Sequence, residues 1–113
     1  MKRVEKPWGY ELWWAVTDKY VGKLIHVDQG HALSLQYHKV KHESMYVVSG
    51  QALIWVNGQS MTMGPGDAVE IPPLIHHRLT AVSDVDVVEV STPELDDVVR
   101  LEDHYGREGT STP

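Results

Sequence analysis

Nine short runs rich in β-branched and aromatic residues, nearly all separated by turn signals, predict that this chain folds as stacked strands rather than helices. The runs are Tyr10–Val16, Tyr20–Val27, Leu33–His38, Ser44–Ser49, Ala52–Val56, Ser60–Met63, Ala68–Ile71, His77–Ala81 and Val85–Val90. The strongest signal is Asn57-Gly58, since both residues tolerate the positive φ of a type I′ hairpin turn. Gly64-Pro65-Gly66-Asp67 marks a second tight reversal. Pro93–Leu101, with its acidic residues early, reads as a helical turn or two, or else as a closing strand. Short, evenly spaced strands point to a sandwich or barrel. A length of 113 residues suits one domain with one core. That domain is expected to span residues 1–113, with residues 5–107 ordered and the small, polar stretch 108–113 a flexible tail. Several runs are apolar on both faces, as expected when a second sheet covers one face and a second copy the other; a homodimer follows.

Hydrophobic residues make up 42% and charged residues 23% of the chain, which sets aside disorder, collagen and coiled coil. The net charge of −6 comes without a Lys/Arg-dense segment, so a nucleic-acid partner is not expected. There is no cysteine, which restricts any metal site to nitrogen and oxygen ligands. The early residues Glu5, Lys6 and Pro7 stand where an export signal would have an apolar run. No apolar run approaches the roughly 20 residues that span a bilayer. The expected location is the cytoplasm, with no membrane partner.

Within Ser34-Leu35-Gln36-Tyr37-His38, strand alternation sends Gln36 and His38 to one face and Leu33, Leu35 and Tyr37 to the other. Glu43 follows just beyond and His77 one hairpin later. A carboxylate buried without a partner costs several kcal/mol, so an interior Glu43 needs a cation or a dense hydrogen-bond set. One carboxylate, two imidazoles and one amide sum to a single negative charge. A divalent ion held by them keeps net positive charge and Lewis acidity. His26, His31, His42 and His104 are read as surface or packed residues. His76 and His77 cannot both face inward, and alternation then turns Arg78 outward, where a surface role and a site role weigh equally. The four tryptophans are assigned to packing rather than to substrate.

Gly30, Gln36-x-His38, Glu43 and Gly50, followed by Pro72 and His77, resemble the two motifs of the cupin superfamily, with Gln36 in place of the usual first His. The blocks Lys6-Pro-Trp-Gly-Tyr10, Leu33-Ser-Leu-Gln-x-His38, Val47-Val-Ser-Gly50, His77-Arg-Leu79 and Val99-Arg-Leu-Glu-Asp-x-Tyr-Gly-Arg107 resemble, more narrowly, the type II mannose-6-phosphate isomerase domain, found elsewhere fused to a guanylyltransferase. The resemblance implies an all-β double-stranded β-helix, a jelly-roll barrel. It implies one divalent ion, Zn2+ first and Mn2+, Co2+, Fe2+ or Ni2+ after it, on Gln36, His38, Glu43 and His77. Lys41 and Arg107 are the implied catalytic residues, Arg78 and Tyr46 the substrate-binding ones. The implied reaction interconverts mannose 6-phosphate and fructose 6-phosphate, a small-molecule sugar phosphate. Its base is left open among Lys41, His76, Tyr46 and an unligated Glu43. Lys39, Val40 and Lys41 depart from the family's histidine run and Arg, and Leu74 replaces a Gly. Neither a Gly-rich phosphate loop nor the length for a nucleotide-binding α/β domain is present, which sets guanylyl transfer aside. Two other readings remain open: a metal cupin oxygenase or decarboxylase acting on a small acid, and a non-catalytic sugar-binding cupin.

Overall fold

A computed structural model describes all residues 1–113. It contains eleven strands and no helix: β1 (Lys2–Lys6), β2 (Gly9–Val16), β3 (Val21–Val27), β4 (Leu35–Tyr37), β5 (Glu43–Ser49), β6 (Ala52–Val56), β7 (Gln59–Met63), β8 (Ala68–Ile71), β9 (His77–Ala81), β10 (Val85–Ser91) and β11 (Val99–Glu102). A six-stranded sheet runs β1-β2-β3-β10-β5-β8 and a five-stranded sheet runs β11-β4-β9-β6-β7. Every strand pairing is antiparallel.

The turn chemistry holds in detail. Asn57 and Gly58 have φ of 48° and 89°, and they join β6 to β7 with Val56 paired to Gln59. Gly50 has φ of 80°, and a Cβ there would lie 2.0 Å from the Asp84 carbonyl oxygen. Only glycine lets β5 turn so close to the start of β10.

Every second side chain points into the barrel, and each such column changes character partway along its strand. In β10 the inward residues are Val85, Val87, Glu89 and Ser91; in β3 they are Val27, Ile25, Lys23 and Val21. In β5 the column is Val47, Met45, Glu43, and in β9 it is Ala81, Leu79, His77. The apolar ends meet in one core with Ile54, Ile71 and Met63. Full burial of each such side chain contributes about 1.5–3 kcal/mol. Most of the charged ends, with His77, gather at the other end of the barrel.

Three features differ from the sequence expectation. Lys2–Lys6 forms an edge strand that pairs with β2 residue for residue. Pro93–Leu101 contains no helix: its second half begins β11, which pairs with β4, and its first half is fixed by Asp97. The Asp97 carboxylate accepts the amides of Lys39, Val40 and Lys41 at 3.0, 2.7 and 2.8 Å. A tertiary contact thus takes the acid that a helix N-terminus would have used. Finally, β4 is short, and Leu33 turns inward to the core instead of sharing a face with Leu35 and Tyr37.

On the outer face of the six-stranded sheet, Leu12, Leu24, Val88 and Tyr46 form one cross-strand apolar row. Beside that row, His26 Nδ1 lies 2.7 Å from Asp86, its Nε2 lies 3.3 Å from Asp28, and its ring stacks on Tyr10 at 5.0 Å. Burial opposes the charged imidazole, but the hydrogen bond and charge of Asp86 and the charge of Asp28 outweigh it and raise the pKa above 6.5. Because the folded value is the higher one, this contribution is complete below the unfolded pKa and disappears as pH rises through the folded one. His26→Gln should therefore lower the urea midpoint at about pH 5.5 and leave it unchanged at about pH 9. Equal losses at both pH values would show that the ion pair plays no part.

Candidate metal centre

The two imidazoles are oriented before any ligand arrives. His38 follows β4, and its Nδ1 donates to the Asp97 carbonyl at 2.6 Å; His77 opens β9, and its Nδ1 donates to the Ile75 carbonyl at 2.9 Å. With the ring proton on Nδ1, each Nε2 carries a lone pair. Those two nitrogens lie 3.2 and 3.0 Å from the same oxygen, Glu43 Oε1. All three residues are buried, and their ligand atoms fall within 4.8 Å of one another. His77 Nε2 and Glu43 Oε2 have no hydrogen-bond partner. Three acceptors converging in a dry interior repel one another unless a cation lies between them. The donor set therefore fits a metal ion. The carbonyls behind each ring supply the outer support that metal-binding histidines require.

Gln36 lies directly across from His77 in the β4–β9 register and lines a cavity with His38 and Glu43. Leu74, where the family pattern has glycine, keeps a φ of 71°, and its amide donates to the His38 carbonyl at 2.7 Å. The position needs a left-handed residue, and here a leucine bears the strain.

Lys41 is a buried residue, not a solvated loop lysine: its Nζ lies 3.3 Å from Glu43 Oε2 and 3.5 Å from Glu89 Oε2. Burial alone would lower its basicity, but the charges of Glu89 and Glu43 raise it. Burial also opposes ionisation of Glu43, yet contact with Glu89 and the Lys41 ammonium hold its carboxyl well below the usual range. Glu89 moves the other way, pushed up to about 8 by burial and then by the Glu43 charge. Glu89 and the neighbouring Glu11–Lys23 pair, 3.4 Å apart, were not anticipated as site residues. The signal was present, since Lys23 and Glu89 each occupy an inward position of an otherwise apolar strand.

Arg107 reaches the cavity, where Asp103 grips it through two bonds of 2.9 and 3.0 Å. Tyr46 and Arg78 require correction. Both lie outside the barrel: Tyr46 is half-exposed on the six-stranded sheet, and Arg78 donates to the Leu33 carbonyl and to Glu102. Strand alternation is the reason, because each is adjacent to or an odd step from an inward residue, His77 or Glu43. His76 likewise faces out and stacks on Tyr37 at 5.0 Å. His42 pairs with the exposed Glu70, and His31 bonds Tyr105, both away from the cluster.

An all-β barrel of two facing sheets, with histidines and a carboxylate converging inside one end, is the architecture of a cupin. The family profile described as Cupin_2, cupin domain, matches residues 23–92, and the chain belongs to that family. It is 36% identical over 111 residues to the mannose-1-phosphate guanylyltransferase ManC of Salmonella typhimurium, a match covering 94% of this chain and 23% of that protein. It is 32% identical over 109 residues to the alginate biosynthesis protein AlgA of Pseudomonas aeruginosa, covering 92% of this chain and again 23% of the relative. The chain thus spans about a quarter of the length of these relatives. Among solved structures, KdgF from Halomonas sp. superposes with a TM-score of 0.75 at 21% identity, covering 82% of this chain and 86% of that one. An RmlC-like cupin from Shewanella frigidimarina gives 0.75 at 17%, covering 81% and 83%. These likenesses establish the double-stranded β-helix fold. No helix is long and apolar enough to cross a membrane.

Proposed function

We propose that this cupin is a metal-dependent aldose–ketose isomerase that interconverts mannose 6-phosphate and fructose 6-phosphate. The observation that carries the reading is the convergence of two tautomer-locked imidazoles on one oxygen of a buried carboxylate. Similarity to part of enzymes named for mannose 1-phosphate supports a sugar phosphate as substrate. Gln36, His38, Glu43 and His77 would hold the ion, with Zn2+ the first choice for such a nitrogen and oxygen set. When bound, a divalent ion supplies Lewis acidity toward the sugar's O1 and O2.

The remaining roles belong to the chain itself. Lys41, kept protonated by Glu43 and Glu89, serves as a donor and positive charge toward an enediolate, not as the base. His76 and Tyr46 face away from the cavity and drop out as bases. Glu89 lines the cavity 3.5 Å from Lys41 and is the carboxylate in this reading that carries the proton between C2 and C1. The apolar row Leu12, Leu24, Val88 and Tyr46 offers a self-complementary face for a homodimer.

Proton NMR of mannose 6-phosphate with protein reconstituted with Zn, Mn or Co, against a chelated control, tests the reading. Fructose 6-phosphate should appear only with metal. No conversion with any ion would overturn it; oxygen uptake with a small acid would then favour the oxygenase or decarboxylase, and sugar binding without turnover the non-catalytic cupin.

A further inference from the structure

We propose that Arg100 and Lys6 form an anion subsite at the mouth of the barrel, built for the phosphate end of the substrate and filled in this structure by oxygens of the chain's own C-terminal segment. The argument begins with charge pairing. The cations lining the cavity are Lys6, Lys23, Lys41, Arg100 and Arg107. Lys23 pairs with Glu11, Lys41 with Glu43 and Glu89, and Arg107 with Asp103. Lys6 and Arg100 have no Asp or Glu carboxylate within 4.0 Å.

What they hold instead is the C-terminal segment. Arg100 is 7% exposed and donates to the Thr110 carbonyl at 3.2 Å, the Thr110 hydroxyl at 3.0 Å and the Thr112 carbonyl at 2.7 Å. Lys6 donates to the main-chain oxygen of Pro113. Arg100 Nε has no acceptor at all, and neither does the buried Trp8 Nε1 in the same cavity wall. Both cations are also less basic than usual: burial, helped by neighbouring cations, outweighs the opposing charge of Glu11 on Lys6 and of Asp103 and Glu11 on Arg100. A buried guanidinium satisfied only by carbonyl dipoles gains far more from an anion, whose charge-assisted bonds are about twice as strong.

The position suits a ligand that also reaches the metal centre. Arg100 pairs with Gln36, and Gln36 pairs with His77, so one row of the sheet carries all three. Two strand spacings separate the ends of that row by about 10 Å. This is a span for a ligand with reacting oxygens at one end and an anion several bonds away. The cavity beneath the C-terminal segment is about 50 Å³. Ligand pockets usually occupy about 300 Å³ or more. A sugar phosphate therefore enters only as Thr110–Pro113 gives up its bonds to Arg100 and Lys6. The inference rests on the isomerase reading for the identity of the sugar, while the anion subsite stands on the unpaired cations.

The test is calorimetric titration of the chelated full chain with inorganic phosphate, and with mannose 6-phosphate against mannose, at fixed ionic strength. Wild type should bind both phosphates and not mannose, with shifts in the amide signals of Thr110 and Thr112. Arg100→Gln and Lys6→Gln should each weaken phosphate binding by about 10-fold or more. No phosphate binding by wild type, or unchanged affinity in either folded variant, would overturn the subsite. If Arg100→Gln loses its near-UV dichroism, Lys6→Gln decides alone. Phosphate binding that depends on Arg100 without isomerisation would sink the isomerase and leave the subsite. Isomerisation with an unchanged KM in Arg100→Gln would do the reverse.

Discussion

His77→Ala should abolish metal retention while leaving the barrel folded. His77 presents Nε2 to Glu43 Oε1 at 3.0 Å, and its ring is held in place by the Ile75 carbonyl. Loss of an outer partner alone weakens metal sites about 10–100-fold, so removing the ligand itself should exceed about 100-fold. Zinc content after dialysis against a weak chelator measures this, with His38→Ala as the matched variant. His38 differs in that it is anchored through Asp97, the acid that also fixes Lys39, Val40 and Lys41. Full metal occupancy in either variant would overturn the ligand assignment. Near-UV dichroism should stay close to wild type, because the apolar ends of the inward columns are untouched.

Lys41→Met is expected to destabilise the chelated protein by about 3–5 kcal/mol, the usual result of removing one partner from a buried ion pair. The Lys41 side chain is 8% exposed, and those of Glu43 and Glu89 are 1% and 6% exposed. No other cation lies within 4.0 Å of Glu89, and Glu43 has only imidazoles besides. Methionine keeps the volume and removes the charge, so the Glu43 carboxylate loses its counter-ion beside Glu89 in a dry interior. Lys41→Arg retains the charge and should recover most of the loss. Urea unfolding of the three proteins gives the comparison. A Lys41→Met midpoint equal to wild type would mean that the ammonium is not the counter-ion of this pair.

How much of this was legible in the sequence depends on how local each signal is. Gln36, His38, Glu43 and His77 could be singled out because ligand type, spacing and alternation are all visible along the chain. The placement of Arg100 beside Gln36 could not be, since it depends on β11 pairing with β4, a contact across more than sixty positions. Lys2–Lys6 was missed because its charged sequence has little strand preference of its own; hydrogen bonds from β2 make it a strand. The helical reading of Pro93–Leu101 failed because Asp97 caps a distant loop instead of its own segment. Arg78 lies within a matching block yet faces outward, as alternation from His77 already required, and Tyr46 stands an odd step from Glu43 and faces outward for the same reason.

The inward columns of β3, β5, β9 and β10 each carry core residues and cavity residues on one strand. A slip of one position turns the whole set outward, and a slip of two drives Glu43 or Glu89 in among valines. Misregistered chains thus forfeit their reactive groups and their packing together. Assembly of the buried His38–Glu43–His77 cluster is coupled to correct pairing, so half-finished molecules lack it.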